Sequence, residues 1–309
     1  MDKDYYELVL NTFIEYYDTP HLEFIRNNIF ILKELSAVLY EEISDIDLKD
    51  EEYTEYYSFY DSTSLARDFI GYINPKYLES YDKFIVNGTF DIISEPESIE
   101  EEGYVDSEIL DDGQIRNSIR IPLKHNLDDV YTIVHEFFHT TNIESFDTFD
   151  RDLLTESVSI FYEFILHDYL SDKNVNHIDN NNSINFRLNQ ILDDCYCVNY
   201  ELDYIYDVFN DIDLNYGEKS QDEMDEYFEE LFSDVKYFVS SLIAIVKYYE
   251  YKNGYINIGQ IERFNESLKY SDNLNSLEFI FNRNISEEDI KASCDYIKQV
   301  LSKEFGMKK

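Results

Sequence analysis

The distribution of proline constrains the fold of this 309-residue chain more than any other feature of its sequence. Proline breaks helices because it lacks a backbone N–H and clashes with the preceding turn. All four prolines lie at or before Pro122, so the rest of the chain contains no obligatory helix breaker. Apolar residues also recur at helical spacing through residues 1 to about 70. We therefore predict a mainly α fold in which the second part of the chain is mostly helical.

A small β-sheet is predicted between the two helical parts. Residues 84–93 contain two β-prone runs around an Asn-Gly pair, which suits the tight turn of a hairpin. Residues 95–114 are acidic and contain a proline and two glycines, which predicts an exposed loop. Residues 118–123 form one more β-prone run, and Pro122 places this strand at an edge of the sheet or ends it.

Length and composition indicate a single domain that spans residues 1–309. A hydrophobic content of 44% is ample for a buried core. No proline-rich or glycine-rich linker divides the chain into independent units. Within this domain we predict a helical cover at residues 1–75, the small sheet and acidic loop at 80–125, and a helical core at 126–309.

The chain is strongly acidic, with 66 acidic against 25 basic residues and a formal net charge of -41 at pH 7. This charge would repel nucleic acid phosphates and anionic membrane surfaces, so neither is expected as a partner. The first residues lack the basic start and apolar core of a signal peptide, and no apolar run approaches the length of a membrane span. The three cysteines are too few for a disulfide framework. We expect a cytoplasmic protein.

Two histidines and one glutamate form the group with the clearest chemical meaning. A helix is predicted to begin near Asn126, because acidic residues follow it and the helix dipole favours negative charge in the first turn. His135 and His139 lie four residues apart on this helix, so their imidazoles project together and can bind one metal ion. Glu136 lies between them at an adjacent angle, where it can reach a water without taking a coordination position. This His-Glu-x-x-His pattern is typical of zinc peptidases and predicts one Zn2+ per chain.

A catalytic zinc site needs a third protein ligand and one open position for water. Glu156 is the predicted third ligand, because it begins a second helical pattern after a polar connection that lets the chain turn back. Glu163 shares the face of Glu156 two turns along, and it either orients one of the histidines or faces solvent. His167, one further turn on, is predicted to lie at the surface. The competing interpretation, that His135 and His139 only stabilise an ordinary buried helix, remains open.

Three stretches of the sequence resemble the zinc oligopeptidases related to thimet oligopeptidase, and most closely the oligoendopeptidase F branch. Residues 127–136, with the sequence LDDVYTIVHE, are similar to the lead into the zinc helix of that family. Residues 155–170 are similar to the helix that supplies its third zinc ligand. Weaker similarity extends from Ser240 to Phe305, so that the likeness covers residues 115–305.

This resemblance implies a mainly helical fold around a deep channel, and hydrolysis of short peptides by zinc-activated water. It also implies a small sheet whose edge strand holds an extended substrate. In this chain we expect the strand with Ile119 and Ile121 to be that edge, where a peptide backbone adds to the sheet. Phe137 and Phe138 replace the small glycine of the family, and the long amino-terminal half of the family is missing. A more open cleft is therefore expected.

The groups that stabilise the tetrahedral intermediate are the sharpest departure from that family. The resemblance implies a tyrosine and a histidine in the carboxyl-terminal part, but no histidine follows His177. Aligning Ser240 and its neighbours on the family pattern places Phe238 where the tyrosine is expected, with Tyr237 beside it. Tyr237 is therefore the candidate donor, and a packing role is the alternative. The loss of such a donor costs about a hundredfold in rate or more.

The sequence as a whole predicts a zinc metallopeptidase that hydrolyses short peptides. His135, His139 and Glu156 are the predicted zinc ligands, and Glu136 is the predicted general base. One alternative is a zinc-binding but catalytically inactive, peptidase-like interaction module, which the missing carboxyl-terminal donors and the bulky pair Phe137 and Phe138 suggest. A second alternative is a metal-free helical structural protein.

Overall fold

The structure of the chain is a computed structural model. It describes residues 19–48, 52–87, 89–93, 103–109, 115–141, 149–209, 221–268 and 285–305. Most of these residues are helical, which confirms the prediction of a mainly α fold. The helices are α1 (Thr19–Ser44), α2 (Phe59–Ile73), α3 (Pro75–Asn87), α4 (Asp128–His139), α5 (Phe149–Asp172), α6 (His177–Phe209), α7 (Gln221–Lys252), α8 (Ile258–Leu268) and α9 (Glu287–Phe305).

The described part of the chain also contains a three-stranded mixed sheet. Its strands are β1 (Phe90–Ile93), β2 (Tyr104–Ile109) and β3 (Ile115–Pro122). Their order is β1-β3-β2, with β1 parallel and β2 antiparallel to β3. The small sheet was predicted correctly, whereas three of its details were not.

The predicted hairpin at residues 84–93 is wrong, because α3 continues through Asn87 and β1 pairs with β3 instead. Packing against neighbouring aromatic rings explains the helix. The ring of Phe84 contacts those of Phe90 and Phe137, with centroid distances of 6.3 and 6.2 Å. One turn earlier, the Tyr81 hydroxyl donates a hydrogen bond of 3.0 Å to the backbone oxygen of Thr63 on α2. These contacts outside the segment override its local preference for a turn.

The predicted exposed loop at residues 95–114 is also wrong in part, because β2 occupies Tyr104–Ile109. The rest of that loop lies outside the described residues, apart from Gly103. β2 pairs with β3 along its whole length, from Tyr104 opposite Arg120 to Ile109 opposite Ile115. The backbone of β2 forms its hydrogen bonds with β3, and the acidic composition of the segment gives no sign of this pairing.

The predicted edge position of the strand with Ile119 and Ile121 is wrong, because β3 is the central strand. Phe90 on β1 and Val105 on β2 pair with Ile119 from opposite sides, and both isoleucines are fully buried. Their backbone edge is therefore not available to a peptide. Pro122 ends the strand, as its missing N–H allows.

Helix α5 lies at the centre of the helical part, where it packs against α4, α6, α7 and α8. Phe137 and Phe138 of α4 are fully buried in this core. The ring of Phe138 stacks on Tyr162 of α5, with a centroid distance of 3.7 Å and an interplanar angle of 14°. This packing fixes the rotation of α4 against α5, and the histidines of α4 also contact α5. No helix within the described ranges is long and apolar enough to cross a membrane.

Candidate metal centre and active site

His135 and His139 meet one turn apart on the side of α4 that faces α5. The two Nε2 atoms lie 2.9 Å apart. The Ser159 hydroxyl of α5 donates a hydrogen bond of 3.1 Å to the backbone oxygen of His135, which fastens the two helices at this level. The structure thus brings together the two imidazoles that the sequence pattern singles out.

Glu156 of α5 completes a small triangle with the two imidazoles. Its Oε2 lies 3.1 Å from Nε2 of His135 and 3.2 Å from Nε2 of His139. Ligand atoms at bond lengths of about 2.0–2.2 Å around tetrahedral zinc lie about 3.3–3.6 Å from one another. The triangle therefore fits one zinc ion, and its two nitrogens and one oxygen match the donor set of catalytic zinc.

Glu163 and Arg187 set the orientation of His135 from behind. The buried carboxylate of Glu163 accepts a hydrogen bond from Nδ1 of His135 through Oε1. Because Nδ1 keeps its proton for Glu163, Nε2 is the ring nitrogen that faces the triangle and can bind a metal ion once its own proton has left. Arg187 of α6 donates to both oxygens of Glu163, from Nε and from Nη2, at 2.6 Å each. Of the two possibilities that the sequence left for Glu163, the structure shows the contact with His135, and the side chain does not face solvent.

The pKa values of the buried carboxylates and of His135 depend on burial and on the charges beside them. Burial favours the neutral acid of Glu163, but Arg187 and His135 outweigh it and lower its pKa. Burial acts in the same direction on Glu156, and the two histidines outweigh it and hold the pKa of Glu156 well below its usual value. Burial disfavours the His135 imidazolium, yet Glu163 and Glu156 raise its pKa to about 10. Metal binding must therefore displace a proton.

Glu136 differs from these two carboxylates because it is buried without a cation of its own. One of its oxygens lies within 4.8 Å of a ring nitrogen of both histidines. Burial raises the pKa of Glu136, while the histidine charges oppose this effect. Within the described ranges, no side chain forms an ion pair or a hydrogen bond with its carboxylate. A base of this kind accepts a proton more readily than a carboxylate held by a cation.

The backbone before β2 lies directly against this glutamate. A Cβ added to Gly103 would stand 2.5 Å from Cγ2 of Thr132, 3.2 Å from the backbone oxygen of Arg120, and 3.3 Å from Cγ of Glu136. Only glycine allows so close an approach. β2 is an edge of the described sheet, so the edge strand beside Glu136 is β2 and not β3.

Several solved structures of proteins described as peptidases are similar in fold to this chain. The chain superposes on a protein assigned as a peptidase in Chlamydophila abortus, with a TM-score of 0.55 and 16% sequence identity. It also superposes on a protein assigned as oligoendopeptidase F in Bacillus anthracis (TM-score 0.53, 12% identity) and on Pz peptidase A crystallised with an inhibitor (TM-score 0.52, 12% identity). The fold resembles that of the oligopeptidases. At these identities the likeness shows the fold alone.

The match to these structures covers 93% of this chain. The chain spans only 56% to 59% of the length of those proteins. No protein-family model and no curated protein sequence matches the chain. The similarity to the solved structures confirms, for the fold, the resemblance that residues 115–305 indicated.

Lys236 approaches the site from α7, and Tyr237 is its neighbour on that helix. Nζ of Lys236 lies 3.9 Å from Oε1 of Glu156, and 5.2 Å from the centre of the Tyr237 ring. Tyr237 is half-buried, and its role as a donor stays a prediction. Phe238 is fully buried in the core, consistent with its apolar side chain.

Sequence reasoning missed Arg187 and Lys236. Arg187 is the only lysine or arginine in the 33-residue helix α6, a signal that pointed to a paired buried cation.

The prediction of a surface position for His167 is wrong, because its side chain is buried and Nε2 contacts Oδ1 of Asn181 at 3.0 Å. His125, which precedes α4, stacks on Tyr56 at 5.0 Å.

Proposed function

We propose that this chain is a zinc metallopeptidase that hydrolyses short peptides. The observation that supports this most strongly is the convergence of three potential ligand atoms, from His135, His139 and Glu156, within 2.9–3.2 Å of one another. Glu136 stands beside the triangle, and the fold resembles that of oligopeptidases. Zinc, when bound, would lower the pKa of a water molecule and polarise the substrate carbonyl.

The residues of this chain supply the acid–base chemistry. The Glu136 carboxylate would accept the proton of the attacking water and pass it to the departing amine nitrogen. Its raised pKa suits both steps, because a base whose pKa is closer to neutral also gives its proton back readily. Glu163 and Arg187 hold the His135 ring so that its Nε2 stays directed at the ligand triangle.

The edge strand β2 is the proposed place of the substrate backbone. An extended peptide that pairs with the side of β2 that no described strand covers would lie next to Glu136, because Gly103 brings the start of this strand against α4. This position replaces the one first expected at Ile119 and Ile121. Tyr237 remains the proposed donor to the developing oxyanion, and it lies next to Lys236 in the middle of α7.

One argument for the inactive alternative loses its force in this structure. Phe137 and Phe138 were expected to affect the cleft because of their size, but both are fully buried between α4 and its neighbours. The other argument, the absence of a histidine after His177, stands. The peptidase and the inactive zinc-binding module therefore differ in a single measurable property, which is turnover.

The test compares the native chain with Glu136→Gln for zinc content and for cleavage of a mixed peptide library. We expect about one zinc per chain in both proteins, and a loss of turnover of at least about 100-fold in the variant. Glu250→Gln is the control, because Glu250 is also a buried carboxylate but pairs with Lys247 at 2.8 Å on α7. Bound zinc without turnover in the native chain would favour the inactive module. A native chain that binds no zinc would leave only the metal-free structural protein.

A further inference from the structure

Three carboxylates, those of Glu136, Glu156 and Glu163, lie at or beside the ligand triangle. Two of them are paired with a cation from another helix. Glu163 is held by Arg187 of α6 through two hydrogen bonds of 2.6 Å. Glu156 is paired with Lys236 of α7, whose Nζ lies 3.9 Å from Oε1. The two oxygens of Glu156 therefore have different environments, because Oε2 faces both imidazoles while Oε1 faces the ammonium group.

We propose that Lys236 is a positioning residue that keeps Glu156 facing the metal site with one oxygen only. This inference rests on the proposed function, since it concerns the ligand set of that site. A carboxylate can bind a metal ion through one oxygen or through both. With both oxygens of Glu156 engaged, the two histidines and one glutamate fill four positions, and a bound water becomes a fifth ligand. An ammonium group at Oε1 opposes this second contact by electrostatic attraction.

The surroundings of Lys236 are suited to this role. The aromatic face of Tyr237 lies under its ammonium group at 5.2 Å, and a cation over a tyrosine ring is attracted by the ring quadrupole. The lysine side chain is 21% exposed and Glu156 is 7% exposed, so solvent screens the attraction less than it would at the surface. Lys236 thus contacts a tyrosine of its own helix and a carboxylate of α5 across the interface of the two helices.

The experiment uses cobalt(II) in place of zinc, because the visible absorption of cobalt reports its coordination number. Four-coordinate cobalt absorbs strongly, and five-coordinate cobalt absorbs weakly. The full-length chain is compared with Lys236→Met, which removes the charge but retains an unbranched side chain, and with Lys236→Arg, which retains the charge. Lys247→Met is the matched control, because Lys247 lies on the same helix, is 20% exposed and pairs with Glu250.

We expect the absorption of cobalt to fall several-fold in Lys236→Met and to stay at the native level in Lys236→Arg and Lys247→Met. At saturating metal, the kcat of Lys236→Met for peptides should fall about tenfold or more, with a smaller change in KM. Thermal melting of the metal-free proteins checks folding, and Lys236→Gln serves as a second neutral variant should Lys236→Met fail to fold.

An absorption spectrum of the folded neutral variants that equals that of the native chain would overturn the proposal for Lys236. That result would leave the proposed function intact if the native chain still cleaves peptides. The reverse outcome is separate, since a native chain that binds cobalt and cleaves nothing contradicts the proposed function while the spectra still test Lys236. A native chain that binds no cobalt overturns both.

Discussion

Arg187 and Glu163 form the buried ion pair on which the geometry of His135 depends. Their side chains are 18% and 3% exposed, and both oxygens of the carboxylate are engaged by the guanidinium. Removing one partner of such a pair leaves an uncompensated charge in a region of low dielectric constant, which costs far more than the pair contributes. An exposed pair of the same geometry, Arg67 with Asp82, gives the comparison, since these side chains are 47% and 41% exposed.

We expect Arg187→Met to lower the free energy of unfolding of the metal-free protein by about 3–5 kcal/mol. Arg67→Met should change it by less than about 1 kcal/mol, because solvent screens the exposed pair. Adding Glu163→Gln to Arg187→Met should recover part of the loss, since the stranded charge is then removed. Urea denaturation of the four proteins measures these values. A double variant that is no more stable than Arg187→Met would contradict the coupling.

The residues of the candidate metal site could be singled out from the sequence because they lie on two helices that follow each other along the chain. His135 and His139 lie one helical turn apart, and Glu156 lies two turns into the next helix along the chain, which packs against α4. Arg187 and Lys236 could not be assigned in this way, because their contacts depend on how α6 and α7 pack against α5. No spacing in the sequence reports the position of a side chain on a distant helix.

At the scale of whole elements, the close contact between the start of β2 and α4 positions the edge strand beside Glu136. The sequence predicted α4 well, because its apolar stripe and acidic first turn are properties of the helix itself. It did not predict β2 or the central place of β3, because strand order depends on pairing between distant segments. The same reason explains the wrong hairpin, where Phe84 prefers the aromatic contacts of a helix.

Gly103→Ala tests whether the contact between β2 and α4 matters for the proposed reaction. The new methyl group would overlap Cγ2 of Thr132 at 2.5 Å and crowd Glu136, so that the strand or the base must move. We expect kcat/KM for peptides to fall about tenfold or more with the zinc content unchanged, because small displacements of a catalytic group are costly. Gly259→Ala is the control, since its added Cβ meets only Asn257 and Arg263 side chains at 3.3 and 3.9 Å. Equal activity of both variants would show that β2 can shift freely.

The molecule as a whole has a formal net charge of -41, from 66 acidic and 25 basic residues. Even if every basic residue were paired, a large excess of carboxylates would remain. Their mutual repulsion destabilises the compact state, which holds the charges closer together than the unfolded chain does. The individual surface pairs contribute little, because exposed ion pairs are weak. The long-range repulsion is therefore the larger electrostatic effect on stability at neutral pH.

This balance predicts that salt stabilises the protein. The Debye length falls from about 30 Å at 0.01 M salt to about 8 Å at 0.15 M, so salt screens repulsion between distant carboxylates more than it weakens the buried pair of Arg187 and Glu163. We expect the Tm of the metal-free protein at neutral pH to rise steadily over this range, and to rise equally in sodium chloride and choline chloride, because screening depends on ionic strength and not on a specific ion. Chelator in every sample excludes an effect of bound zinc. A Tm that falls with salt would mean that attractive pairs, and not the excess of carboxylates, dominate the electrostatics of the fold.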